Sequence, residues 1–127
     1  MTMLRRLNKF VIAGMVTGIC LAASAASART NFDGSWSVLV VTDYGTCDRA
    51  YRYGVQISNG QVFYRGDSSV DISGRVSPVG QVNVRVRQGS QQASGTGRLS
   101  QESGEGQWRG SSPEQQCGGH WTAERRG

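Results

Sequence analysis

Tyr51-Arg52-Tyr53-Gly54-Val55-Gln56-Ile57-Ser58-Asn59-Gly60-Gln61-Val62-Phe63-Tyr64 is the stretch from which the fold is read. Tyr51, Tyr53, Val55 and Ile57 fall on every second residue, with Arg52, Gly54 and Gln56 between them, which is the period of a half-buried strand and not of a helix. Asn59-Gly60 then supplies the residue pair that accepts the positive φ angles of a type I′ turn, and the alternation resumes at Val62 and Tyr64. The segment predicts a β-hairpin with one dry face and one wet face.

The same pattern extends in both directions. Upstream, Val38 and Val40 follow Trp36 at the same spacing. Downstream come Val70, Ile72 and Val76, then Val82, Val84 and Val86 with Asn83, Arg85 and Arg87 opposed. Ser77-Pro78-Val79-Gly80 and Gln88-Gly89-Ser90 mark the turns between them. Two further runs place small residues on the inward positions: Ala93, Gly95, Gly97 and Leu99, then Gly104, Gly106, Trp108 and Gly110. A last run from Gly119 to Arg126 sets Trp121 and Ala123 against His120, Thr122 and Glu124. Eight strands joined by short turns predict an all-β domain, an eight-stranded antiparallel up-and-down barrel. A β-sandwich is the alternative, because periodicity assigns faces and not closure. Glycine in a strand weakens it, so this concentration requires a structural return: barrel bending, packing against a large aromatic, or room for a ligand beside Gly95, Gly97, Gly104 and Gly106.

Ahead of the strands, residues 1–28 have the parts of a cleavable signal helix: basic Arg5, Arg6 and Lys9, an apolar run over 10–23, and Ala26-Ser27-Ala28 as the small-x-small cleavage site. The apolar run is shorter than the roughly 20 residues that span a bilayer. Ile19 before Cys20 is too large for a lipoprotein signal, and Leu4 and Asn8 fit twin-arginine export poorly, so general secretion is expected. Residues 29–127 then form a single barrel domain. Of the 14 basic residues, three lie in the signal, leaving 11 arginines and no lysine against 9 acids, a net charge of +2. So mild a charge gives no basis for nucleic-acid binding, and no stable membrane insertion is expected after signal removal. Cys47 and Cys117 remain as an even pair, expected to form a disulfide in the periplasm or the medium. Cys117 and His120 also have metal-ligand spacing, but a chain with one histidine lacks a full zinc set, and neither metal nor cofactor is expected.

Gly34-Ser35-Trp36, at the start of the first strand, resembles the G-x-W that opens the barrel in the calycins: the lipocalins, the avidins and the bacterial lipocalin-like inhibitors of secreted metalloproteases. The resemblance implies that first and last strands meet, with Arg125 or Arg126 packed across Trp36. Avidin's biotin ligands are not matched in Leu39-Val40-Val41-Thr42-Asp43-Tyr44-Gly45. In the inhibitors a short N-terminal tail, here Arg29 to Asp33, enters the protease cleft.

Catalytic motifs are poor. Gly66-Asp67-Ser68 lacks a histidine motif to go with it, Gly95-Thr96-Gly97 lies inside a strand pattern with no helix to follow, and the pairs Asp67/Asp71 and Asp43/Asp48 read as solvated turn acids. His120 reads as an outward strand residue. A non-catalytic binding protein is therefore expected. Trp36, Tyr51, Tyr53, Tyr64, Trp108 and Trp121 are the candidate lining for a small hydrophobic or amphipathic ligand, although the same residues serve plainly as core. The alternative is a protein-directed inhibitor or interaction protein, with Arg29, Phe32, Tyr44, Arg49, Arg85 and Arg87 as partner contacts, and Arg98 and Arg109 extending a positive outer stripe. That stripe reads equally as a solvated face.

Overall fold

Asn59 and Gly60 both sit at positive φ, 52° and 78°, as a type I′ turn requires. The Asp33 carboxylate accepts the N–H groups of both, at 2.8 and 3.2 Å. The turn joins strands β2 (Ala50–Ser58) and β3 (Gln61–Tyr64), with Ile57 opposite Val62 and Val55 opposite Tyr64. At the next connection but one, Gly80, with φ 92°, donates its N–H to the Ser77 carbonyl at 2.9 Å. These contacts come from a computed structural model that describes residues 31–127. The expected signal segment and its cleavage site, with Arg29, lie outside the described residues.

The remaining strands are β1 (Gly34–Tyr44), β4 (Asp71–Val76), β5 (Gln81–Gln88), β6 (Gln91–Leu99), β7 (Ser103–Ser111) and β8 (Gln116–Arg125). Each is antiparallel to its predecessor, and β1 pairs with β8, with Trp36 opposite Arg125 and Val38 opposite Ala123. The eight strands close into an up-and-down barrel, which settles the sandwich alternative. Two expected strand limits shift. Val70 lies before β4, and β8 starts at Gln116 instead of Gly119, because Cys117 is drawn into register opposite Gly110. Inward positions are mostly apolar and outward ones mostly polar, Leu39, Val41 and Phe63 being outward exceptions, which is the inverse of a lipid-facing barrel. Among the described residues no helix is long and apolar enough to cross a membrane.

One end of the barrel is plugged. Phe32 is buried beneath the strands, and the Trp36 indole, 2% exposed, donates its N–H to the Phe32 carbonyl at 2.9 Å. Arg125, which continues the inward parity of Trp121 and Ala123, lies 4.9 Å from the Trp36 ring centroid. Its guanidinium also donates to the carbonyls of Asn31, Asp33 and Gln101 at 2.5, 2.8 and 2.7 Å. Arg126 instead pairs with Glu124 at 3.1 Å on the exposed surface.

The inward glycines are mostly filled by neighbours and do not make the expected cavity. Gly97 and Gly106 face each other across β6 and β7, and a Cβ on either would come within 2.5 Å of the Trp121 ring. A Cβ on Gly104 would meet Leu99 Cδ2 at 2.3 Å. Of the four, Gly95 alone borders open space inside the barrel. At the opposite, open end, the Cys47–Cys117 disulfide ties the β1–β2 loop to β8 with a Cα–Cα distance of 6.1 Å.

Candidate functional site

A cavity of about 190 Å³ occupies the barrel above the plug. Its floor is Trp36 with Ile57, Val76 and Val82, and its wall includes Val38, Val40, Val55, Ile72, Val84 and Val86. The wall positions named follow from strand parity: β1, β2, β4 and β5 each turn every second side chain inward, and the six just named are valine or isoleucine, which suit a strand. Among the described residues no Asp, Glu, Arg or His lines the cavity. The indole N–H groups are already satisfied, Trp108 donating to the Val41 carbonyl at 2.9 Å and Trp121 to the Thr96 carbonyl at 3.2 Å. The interior thus offers dispersion contacts and water exclusion, with no ionic partner.

Polarity returns at the mouth, where Gln88, Gln91, Ser112 and Gln115 stand on the β5–β6 and β7–β8 side and Tyr51 stands across from them near Cys47. Thr46 donates its hydroxyl to Gln115 Oε1, which links the two mouth loops beside the disulfide. Tyr51 stacks on Tyr53 at 6.1 Å with an interplanar angle of 22°, and Tyr53 meets Tyr64 edge-on at 5.7 Å. Burial raises the Tyr51 phenol above its ordinary value, with the Asp48 charge adding to it. Burial also raises Tyr53, reinforced by Tyr51 and Tyr64. Both are neutral phenols at neutral pH.

Of the aromatic residues singled out by the sequence, Trp36, Tyr51, Tyr53, Trp108 and Trp121 come together around the cavity. Tyr64 does not reach it: its ring packs on Tyr53 and covers Gly66. The partner candidates are dispersed differently. Phe32 is 7% exposed and forms part of the plug, and the backbone on either side of it is held by Arg125, so the Asn31 to Asp33 segment is docked on the barrel. Tyr44, 56% exposed, lies on the outer wall over Gly118. A single register row runs Arg85, Ser94, Arg109, Gly118 and Tyr44, with Arg87 one pleat away opposite Asp71. Arg49 is exposed in the β1–β2 loop, and Arg98 pairs in register with Glu105.

The reactive side chains face elsewhere. His120 Nδ1 lies 2.8 Å from Asp43 Oδ2 on the outer wall, with both side chains about half exposed at 49% and 52%. Cys117 points inward to its disulfide, so the Cys117/His120 spacing puts the two on opposite faces. Ser68 lies between β3 and β4, separated from His120 on β8 by β1 and β2 in the barrel order. Sequence reasoning missed the mouth residues. Gln88 continues the inward parity of Val82, Val84 and Val86, and Gln91 that of Ala93 and Gly95, so the signal was present for these two. The pairing of Asp43 with His120 spans 77 residues and left no local trace. No family model, curated protein or solved structure matches the chain.

Proposed function

We propose that this protein is an exported, non-catalytic barrel that holds a small hydrophobic or amphipathic molecule in its interior. The observation that carries the reading is the apolar, uncharged cavity of about 190 Å³ open at one end of a barrel whose other end is plugged. It is somewhat larger than the roughly 150 Å³ cavity that stays dry and takes up benzene. The Cys47–Cys117 bridge suits the periplasm or the medium, and the polar outer wall suits a protein that stays in water without inserting in a membrane. Binding is favoured over catalysis because His120, Asp43 and Ser68 are all away from the cavity.

The test is a titration with benzene followed by tryptophan emission. All three tryptophans of the chain line the cavity, so occupancy has a direct optical readout. Saturable binding is expected in the oxidised protein, and Ala93→Phe, which fills the half-buried upper wall, is expected to weaken it at least about tenfold, equivalent to ~1.4 kcal/mol. Unchanged binding in Ala93→Phe sinks the interior site.

A second reading, a protein-directed interaction surface, is favoured by the outer row of Arg85, Arg109 and Tyr44 with Arg87 beside it. Arginine and tyrosine are the residues that anchor interfaces. Its test is Arg85→Ala/Arg109→Ala: loss of a partner captured by the wild-type protein, with the cavity titration unaltered, assigns function to the wall.

A further inference from the structure

We infer that the ligand is an uncharged amphiphile that enters tail first and leaves an amide- or hydroxyl-type head between the glutamine side chains of the mouth. The inference rests on the reading of the barrel as a carrier and adds the chemistry of its ligand. Three observations lead to it.

First, the cavity is graded along its length. Strand β5 carries the gradient on one face: Val82, Val84 and Val86 line the cavity in turn, and Gln88 ends the series at the mouth. Six residues at about 3.3 Å each, on a strand tilted by ~40°, place the carboxamide ~15 Å above the floor along the barrel axis. An extended alkyl chain fits that dimension, and a compact polar molecule leaves most of the apolar wall uncovered.

Second, the head position is built from groups that both donate and accept. Gln88 and Gln91 are register partners at the end of the β5–β6 hairpin, and both side chains are exposed at the mouth. Ser112 and Gln115 border the same opening from the β7–β8 turn, and Tyr51 faces them as a neutral phenol. Carboxamides and hydroxyls satisfy an alcohol, amide or ester head in either hydrogen-bond direction.

Third, among the described residues none that lines the cavity carries a charge to pair with a ligand's. Arg85, Arg87 and Arg109 are close in sequence to lining residues, yet strand parity puts all three on the outer wall. An ionised head drawn into the mouth gives up water without gaining a buried counter-ion, which is costly. The Asp48 carboxylate, which acts on the Tyr51 phenol, is solvent-exposed and outside the lining, so it offsets little of that cost.

The experiment compares octanol, octanamide, octanoate and octylamine at neutral pH, with octane and benzene as headless controls, by tryptophan emission of the oxidised protein. Octanol and octanamide are expected to bind alike and more tightly than octane. Octanoate and octylamine are expected to bind at least about 30-fold more weakly, at low and high salt, reflecting the desolvation of an unpaired charge. Gln88→Leu/Gln91→Leu, at exposed positions, is expected to erase the advantage of octanol over octane while benzene binding persists. Gln91→Arg is expected to raise octanoate affinity at least about tenfold by supplying the missing counter-ion. Wild-type binding of octanoate or octylamine at the strength of octanol overturns the inference and leaves the carrier reading standing. So does binding of benzene and octane with no gain from any head. Failure of every probe, benzene included, overturns the carrier reading and this inference with it.

Discussion

Trp121 has its place in the barrel because residues 97 and 106 have no side chains. A Cβ at Gly106 would come within 2.1 Å of the Thr96 carbonyl oxygen and 2.5 Å of the indole, so the change cannot be absorbed by one flexible neighbour. Gly106→Val is expected to cost about 3 kcal/mol, read as a lower urea midpoint with a red shift of tryptophan emission. The glycine-rich spacing was legible in the sequence, with packing against a large aromatic among the three purposes open to it; which purpose held, and which aromatic, was not legible, since Trp121 comes from β8 and the glycines from β6 and β7. At this scale the tyrosines give a second expectation. Burial disfavours the tyrosinate form of Tyr51 and Tyr53, so the native state keeps protons that the unfolded chain releases near the ordinary value of 10.0. The resulting stability is complete below that pH and is lost as pH rises through the raised native values. Spectrophotometric titration is expected to show two phenols ionising later in the native protein than in denaturant, and one such phenol in Tyr53→Phe.

At the level of elements, the turns carry the register. With Asn59 and Gly60 both at positive φ and their N–H groups held by Asp33, the β2–β3 hairpin has one available pairing. Gly60→Ala places a Cβ in the left-handed region and is expected to cost about 1–2 kcal/mol in chemical denaturation, with near-native circular dichroism. Such turns were readable because their chemistry is confined to two adjacent residues, as was the inward parity of each strand. The start of β8 was not readable, because Gln116 and Cys117 join the ladder through Gly110, Ser111 and a disulfide to a loop 70 residues away. The mouth was half legible for the same reason: Gln88 and Gln91 obey strand parity, whereas Ser112 and Gln115 reach the opening by turn geometry.

For the molecule as a whole, closure depends on contacts that no local pattern encodes. Eight short-turned strands pointed to a barrel with a sandwich as the alternative, since periodicity does not encode closure; the β1–β8 ladder decides for the barrel, with Arg125 over Trp36 as its seal. The disulfide reinforces that closure from the far end. Linking residues 70 apart is worth about 4 kcal/mol on the chain-entropy model, so Cys47→Ser/Cys117→Ser is expected to lower stability by that order, with wild-type protein in reductant behaving the same way. Closure has one more consequence. Neighbouring strands in the chain are neighbours in the barrel throughout, and the last returns to the first through bonds from the Arg126 and Ser35 N–H groups to the Ser35 and Gly127 carbonyls at 2.7 and 3.1 Å. The eight ladders form a cycle without a beginning, so a chain opened at Gly89-Ser90 and rejoined from Gly127 to Asn31 by a short linker keeps every one of them; where this polypeptide starts is a matter of its synthesis, and its architecture is indifferent to it.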